Sequence, residues 1–239
     1  MNILTYDDME LTTIRKTALP AEVVGLGLQT CMKKSAFMEC ATEAQLQFLL
    51  SADHQSPLEH AGMTIYIKNV SRAFLAQFTR HRTFKFTVSS QHYQTYNDYE
   101  FIVSQKTLDL AEKYPKYHTG MLKSFRNDLN MYDESIERGL PKEEARQYLP
   151  NAMACNILVT MDCRNLVNFF RQRLCMRNVE EMITFSRKLW TICVAWFPEL
   201  FENVGPPCHM VGKCTQGAMK AQPCKDAGNF KMSTLKEEI

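Results

Sequence analysis

The stretch Met63-Thr64-Ile65-Tyr66-Ile67-Lys68-Asn69-Val70-Ser71-Arg72-Ala73-Phe74-Leu75-Ala76-Gln77-Phe78-Thr79-Arg80-His81-Arg82 changes its period midway. Met63, Ile65 and Ile67 alternate with Thr64, Tyr66 and Lys68, the two-residue period of a strand with one buried face. Ser71 then supplies a hydroxyl N-cap for a helix over about 72–82. In that helix Gln77, Arg80 and His81 stand at i, i+3 and i+4 and share a face, with Arg-His-Arg at its C-terminal end. A strand that runs straight into a helix points to an α+β fold.

The flanks agree. Residues 1–17 read as a short strand and lead-in, and 20–52 as helical, with Ala44, Leu46, Leu49 and Leu50 at helical spacing. Pro57 cannot sit in a helix interior, so 53–60 is a polar turn. Beyond Arg82, 86–103 reads as extended or irregular and 107–138 as mostly helical. Pro141 starts another helix, with Glu143 and Glu144 favoured by its dipole, and Pro150 ends it. Asn156 to Met161 reads as a short strand, followed by helices at about 163–174 and 178–197, the second strongly periodic. After Pro198 the chain reads as irregular. The expected architecture is a single mostly helical α+β domain with a central small sheet over 1–214, then a polar tail over 215–239.

Composition narrows the function classes. The 239 residues carry 28 Lys+Arg against 26 Asp+Glu, a net charge of +2, too small to imply a nucleic-acid or membrane partner. No apolar run reaches the ~20 residues that span a bilayer. The first residues carry acids and no apolar signal core, which reads as cytoplasmic. No Gly-x-Gly-x-x-Gly occurs, so a Rossmann site has no support. Of nine cysteines, Cys31, Cys40, Cys155, Cys163 and Cys193 read as small buried hydrophobes. Cys208, His209, Cys214 and Cys224 could hold zinc, but their spacing is not that of a zinc knuckle, and unligated cysteines in a tail is the preferred reading, with no metal expected.

Alone, Arg80-His81-Arg82 is a solvated basic helix end. An arginine pair also suits a phosphate or an electron-rich cofactor, because each guanidinium is a planar fork of donors. The neighbours matter here. Ser90 follows Arg82 after seven residues. His54-Gln55-Ser56-Pro57-Leu58-Glu59-His60 precedes the trio, and Ala145-Arg146-Gln147-Tyr148-Leu149-Pro150 and Arg164-Asn165-Leu166-Val167-Asn168-Phe169-Phe170-Arg171-Gln172-Arg173 follow it. These four segments, in this order over residues 53–173, resemble the motifs of the flavin-dependent thymidylate synthases.

That resemblance implies the family's fold and reaction. dUMP is methylated reductively to dTMP with methylenetetrahydrofolate as one-carbon donor and NAD(P)H as reductant. FAD supplies the hydride, no covalent enzyme nucleophile acts on the base, and the sites lie between subunits of a homotetramer. It implies that His54, Ser56, Glu59, Arg80, His81, Arg82, Arg164 and Asn168 hold the flavin. Gln77, Arg80, Ser90, Gln91, His92, Arg146 and Arg173 would bind dUMP, and Arg173, Ser90 and His54 would be nearest the chemistry. Without it, Arg146 is a surface charge, His54 and Glu59 cap a turn, and Arg164 with Asn168 is a polar stripe. The sequence departs from the family in three places. Val88 stands where a polar residue is common, Asp162 where Asn is, and His92 where Arg is, the last exchanging a permanent charge for a titratable imidazole. Two alternatives remain open: a related pyrimidine-nucleotide hydroxymethylase, and an RNA-binding module that would use Arg80, Arg82 and Lys85 with Phe84, Phe86 and Tyr93 as stacking partners.

Overall fold

The structure, a computed structural model, describes residues 1–32, 39–52, 54–92, 99–220 and 224. Six strands are β1 (Asn2–Thr5), β2 (Glu10–Lys16), β3 (Gly62–Ser71), β4 (Lys85–Val88), β5 (Glu100–Val103) and β6 (Ala154–Asp162). The helices are α1 (Pro20–Met32), α2 (Glu43–Ser51), α3 (Arg72–Phe78), α4 (Gln105–Lys113), α5 (Pro115–Glu137), α6 (Lys142–Ala145), α7 (Cys163–Arg173), α8 (Glu180–Trp196), α9 (Pro198–Phe201) and α10 (Pro207–Met210). Short 3-10 turns intervene, among them Ser56–His60. The class is the expected mixture of helix and small sheet.

Two compact units share these elements. The first comprises Met1–Glu10, Tyr66–Arg80 and Phe86–Leu158; the second comprises Leu11–Ile65, His81–Lys85 and the described residues from Val159 onward. The boundaries fall inside β2, β3, β4 and β6, so each of these strands has residues in both. The four-stranded sheet has the order β2-β3-β6-β4. β3 and β6 run antiparallel: Cys163 N–H donates to Ala61 O at one end (2.8 Å) and Arg72 N–H to Met153 O at the other (3.1 Å). β1 pairs in parallel with β5, Ile3 opposite Phe101.

The first unit is cored by Phe101, Leu129 and Met153, with Phe125 stacked on Phe101 at 4.4 Å. Phe74, Phe78 and Phe86 pack on one another. The second unit buries Trp190, Phe169, Phe170, Phe185, Phe197 and Phe201. Trp190 Nε1 donates to both Phe201 O (3.0 Å) and Val204 O (3.1 Å), so its one polar atom is satisfied inside the core. The first position of β3 is a glycine because a Cβ there would stand 2.6 Å from Met161 O.

Several expectations are corrected. The helix read over 20–52 is two, and Thr42 caps the second by accepting from Gln45 N–H at 3.3 Å. The helical run 107–138 breaks at Tyr114, where Pro115 starts α5. Beyond Pro198, read as irregular, lie α9 and α10. The lead-in 1–17 holds two strands, β1 and β2. Cys155, Cys163 and Cys193 are buried, but Cys31 and Cys40 are exposed; Cys31 sits in the last turn of α1, past the helix's buried residues. Of the tail, residues 221–223 and 225–239 lie outside the described residues.

Candidate functional site

The helix that carries the basic trio stops early. α3 ends at Phe78, Thr79 returns its hydroxyl to Leu75 O (2.9 Å), and Arg80 N–H closes a turn on Gln77 O (3.3 Å). Arg80, His81 and Arg82 therefore leave the helix, and the expected shared face of Gln77, Arg80 and His81 does not form. Arg80 and Arg82 are exposed while His81 is half-buried.

His81 belongs to the second unit. Its ring stacks on Phe84 (5.6 Å) and meets Phe169 edge-on (4.9 Å). Its Nε2 accepts a hydrogen bond from Arg173 Nε at 2.9 Å. Accepting there requires a neutral ring with its proton on Nδ1. Burial, and then the adjacent Arg173 charge, lower the His81 pKa from 6.5 to about 4, so the ring is neutral at physiological pH.

Arg173 is the last residue of α7. Its Nη1 donates to Asn178 Oδ1 (3.0 Å), and Asn178 Nδ2 donates to Gln172 O (2.8 Å), Cys175 O (2.9 Å) and Arg173 O (3.3 Å). One amide thus closes the turn between α7 and α8 and fixes the guanidinium from its other side. These two acceptors are neutral groups, and together they set the direction of the guanidinium.

At the other end of α7, Arg164 pairs with Glu59. Asn168 lies one turn further along the helix. Asp162 caps it, accepting from Asn165 N–H (2.9 Å) and Asn165 Nδ2 (2.6 Å). A carboxylate in place of the family's usual amide therefore has local work, the anchoring of α7. In the turn that carries Glu59, His54 is exposed and stacks on Phe48 (5.8 Å). Ser56 lines an apolar groove with Leu26 and Pro57. Gln55 is only 2% exposed, and its Nε2 has no hydrogen-bond partner among the described residues. A buried amide without an acceptor costs about 1–3 kcal/mol and marks a place where a ligand atom would be welcome. A cavity of about 290 Å³ in this unit is lined by Glu59, Asp162, Arg15, Lys16 and Lys85. Arg15, Lys16 and Lys85 are donors that suit the phosphates of a dinucleotide, while Glu59 and Asp162 can only accept.

The first unit gathers another set. A cavity of about 400 Å³ is lined by Arg72, Gln91, Arg146, Gln147 and Asn151, with Glu143 and Glu144 at its wall. Arg146 and Gln91, expected on nucleotide, do come together. Arg72 Nη2 donates to Ser89 O (2.8 Å), while its buried Nε has no partner among the described residues. Next to it, Ser89 Oγ accepts from Asn156 N–H (3.0 Å) and Ser90 Oγ from His92 N–H (3.2 Å). Gln77 and Arg80 belong to this unit but are not among the residues lining that cavity.

Sequence reasoning passed over Arg72, Asn178, Arg15 and Lys16, and named Lys85 only for the RNA-binding alternative. Arg72 directly follows the N-cap Ser71, which was the one available signal. The RNA-binding alternative loses its platform: Phe84 is 4% exposed and packed on His81, Phe86 packs on Phe78, and Tyr93 lies outside the described residues. Among the described residues no three His, Cys, Asp or Glu gather to hold a metal, and no helix is long and apolar enough to cross a membrane. α8, the strongly periodic helix, buries Met182, Phe185, Leu189, Trp190 and Cys193 within its own chain.

Comparison with known proteins gives these geometries a family. Residues 14–199 match the family model described as thymidylate synthase complementing protein. The chain is 31% identical over 173 residues to a flavin-dependent thymidylate synthase of Nitratidesulfovibrio vulgaris, covering 71% of each. To the Geobacter sulfurreducens protein of the same name it is 30% identical over 219 residues, covering 88% of this chain and 93% of the relative. Among solved structures, a UMP/dUMP methylase from Streptomyces cacaoi bound to 5-Br dUMP shares the fold, with a TM-score of 0.69 at 19% identity over 84% of this chain and 96% of that one. The chain belongs to the flavin-dependent thymidylate synthase family.

Proposed function

We propose that this chain methylates dUMP reductively to dTMP, with methylenetetrahydrofolate as one-carbon donor, NAD(P)H as reductant and FAD as bound cofactor. The family match over residues 14–199 carries the reading, and the oriented Arg173 supports it. When bound, the flavin supplies the hydride. The chain's own residues bind, orient and stabilise charge. Arg173, held by His81 and Asn178, faces the uracil carbonyl edge and stabilises the negative charge that builds on the base. Because His81 is neutral, it orients Arg173 without repelling it. In this reading Arg146, Gln91, Ser90 and His92 bind the nucleotide with Gln77 and Arg80, and Arg72 joins them as a second guanidinium on the phosphate side. His54, Ser56, Glu59, Arg80, His81, Arg82, Arg164 and Asn168 hold the flavin, with the orphaned Gln55 amide beside them.

The enzyme works in the cytoplasm as a homotetramer with its sites between subunits. Leu110, Tyr114, Tyr117 and Met131 of α4, α5 and the residue between them are exposed large apolar groups available for such contacts. The test is direct. Purified protein should show flavin absorbance that bleaches with NAD(P)H and should yield a product of the mass of dTMP from dUMP and methylenetetrahydrofolate, as a particle of tetrameric mass by light scattering. A colourless protein that ignores added FAD would overturn the reading; a hydroxymethylated product would leave the fold and change the reaction.

A further inference from the structure

A third cavity, about 380 Å³ in the second unit, lies where α7 turns into α8 and is lined by Arg171, Cys175, Arg177, Asn178, Pro207 and Gln216. Its charge is unlike that of the two polar cavities described above. Glu59 and Asp162 line the one beside β2, and Glu143 and Glu144 the one around Arg146. Here two guanidiniums face the space and, among the described residues, no carboxylate lines it. Each arginine is positioned by a neutral group. Arg171 Nη2 donates to Leu50 O (2.9 Å); Arg177 Nη1 donates to Gln216 Oε1, and its Nη2 approaches Met219 Sδ (3.6 Å). A carbonyl, an amide and a thioether fix direction and bring no negative charge, and among the described residues guanidinium donors remain for a ligand. Asn178 joins this cavity to the chemistry, since the same amide holds Arg173.

We propose that this cavity binds the oxyanion-bearing arm of a co-substrate, a phosphate or carboxylate group held by Arg171 and Arg177, with the residues from Pro207 to Met219 as its outer wall. The inference rests on the reading of Arg173 given above. Two co-substrates of the family's reaction carry such an arm: the reduced dinucleotide, in its 2′-phosphate, and the folate, in its glutamyl carboxylates. The two sources are separable by experiment.

In the FAD-loaded holoenzyme, alkylation of Cys175 is followed by peptide-resolved mass spectrometry with adenosine 2′,5′-bisphosphate or tri-γ-glutamate as probe. One probe should slow the labelling several-fold in the wild type and not in Arg177→Met, while Arg177→Lys, which keeps the charge, restores part of the protection. The KM of the matching co-substrate, NADPH or triglutamyl folate, should rise about tenfold in Arg177→Met. Its counterpart without that arm, NADH or the methylenetetrahydropteroate that has no glutamate, should stay within about twofold. Protection by neither probe at millimolar concentration, with unchanged KM values, would overturn the proposal. Loss of FAD along with protection in Arg177→Met would overturn it too, because it would make Arg177 part of the flavin site. Failure of the wild type to make dTMP would break the functional reading instead, and the labelling would still report on the cavity.

Discussion

In the second unit the arginines nearest the expected chemistry already have partners. Arg173 lies between His81 and Asn178, and Arg164 against Glu59. In the first unit the arginines surround an opening. Arg72 keeps a buried Nε without an acceptor among the described residues, and exposed Arg146 reaches back to the Glu143 carbonyl at 3.1 Å. The contrast matches two chemical tasks. Charge that builds in a transition state is best met by a donor that need not reorganise, so the stabilising guanidinium should be held beforehand. A phosphate charged before and after reaction needs affinity, and arginines that acquire their best partner only on binding provide it.

The contrast is broken or sharpened by kinetics that separate kcat from KM. The largest effect is expected at Arg173. Arg173→Ala should lower kcat by about 10²–10³-fold, as removal of an oriented charge-stabilising donor does, with the flavin spectrum retained. A change confined to KM would mean that Arg173 binds ground state and transition state alike. Next come Arg72→Met and Arg146→Ala. Each should raise the KM for dUMP by about 10–100-fold, the worth of a charge-assisted hydrogen bond, and leave kcat within about threefold. An Arg72→Met enzyme with unchanged KM would reduce that residue to an anchor for Ser89.

How much of this the sequence carried depends on the range of the interaction. β3 was legible from alternation and α7 from its motif, because both patterns are local. The Ser71 and Thr42 caps act over three residues; Ser71 was read in advance and Thr42 was not. The motif named His81 and Arg173 but not their hydrogen bond, which joins residues 92 apart. The shared helix face of Gln77 and His81 failed because α3 ends at Phe78, where Thr79 turns its hydroxyl back on the helix. Asn178 escaped notice because an asparagine between helices reads as turn chemistry. It is that, and its remaining oxygen also orients Arg173. Arg72 was hidden behind its role as the first residue after a cap.

The third prediction concerns pH and the second unit alone. His81 has a folded pKa of about 4 against 6.5 for the ordinary imidazole. Between these values the unfolded chain takes up a proton that the folded chain refuses, so folding stability falls as pH drops from about 6.5 towards 4 and levels off below. Urea midpoints followed over that window should decline in the wild type more steeply than in His81→Gln, which cannot titrate. Parallel curves would show that His81 accepts a proton in the folded state without losing Arg173. dUMP-dependent turnover should decline over the same window if the neutral ring is what keeps Arg173 in place.

The smallest effect belongs to Glu59 and Arg164. Their ion pair is close, but both side chains are more than two-fifths exposed, and water screens such a pair to about 0–1 kcal/mol. Glu59→Gln should therefore leave the urea midpoint almost where it was, and added salt should change little more. Glu59 also lines the cavity with Arg15, Lys16 and Lys85. If the pair exists to set Arg164 for the flavin rather than to hold the fold, the same substitution should weaken FAD binding measurably while stability stands still. A stability loss well above about 1 kcal/mol without any change in FAD affinity would make this pair structural, and would erase half of the difference between the two units' arginines.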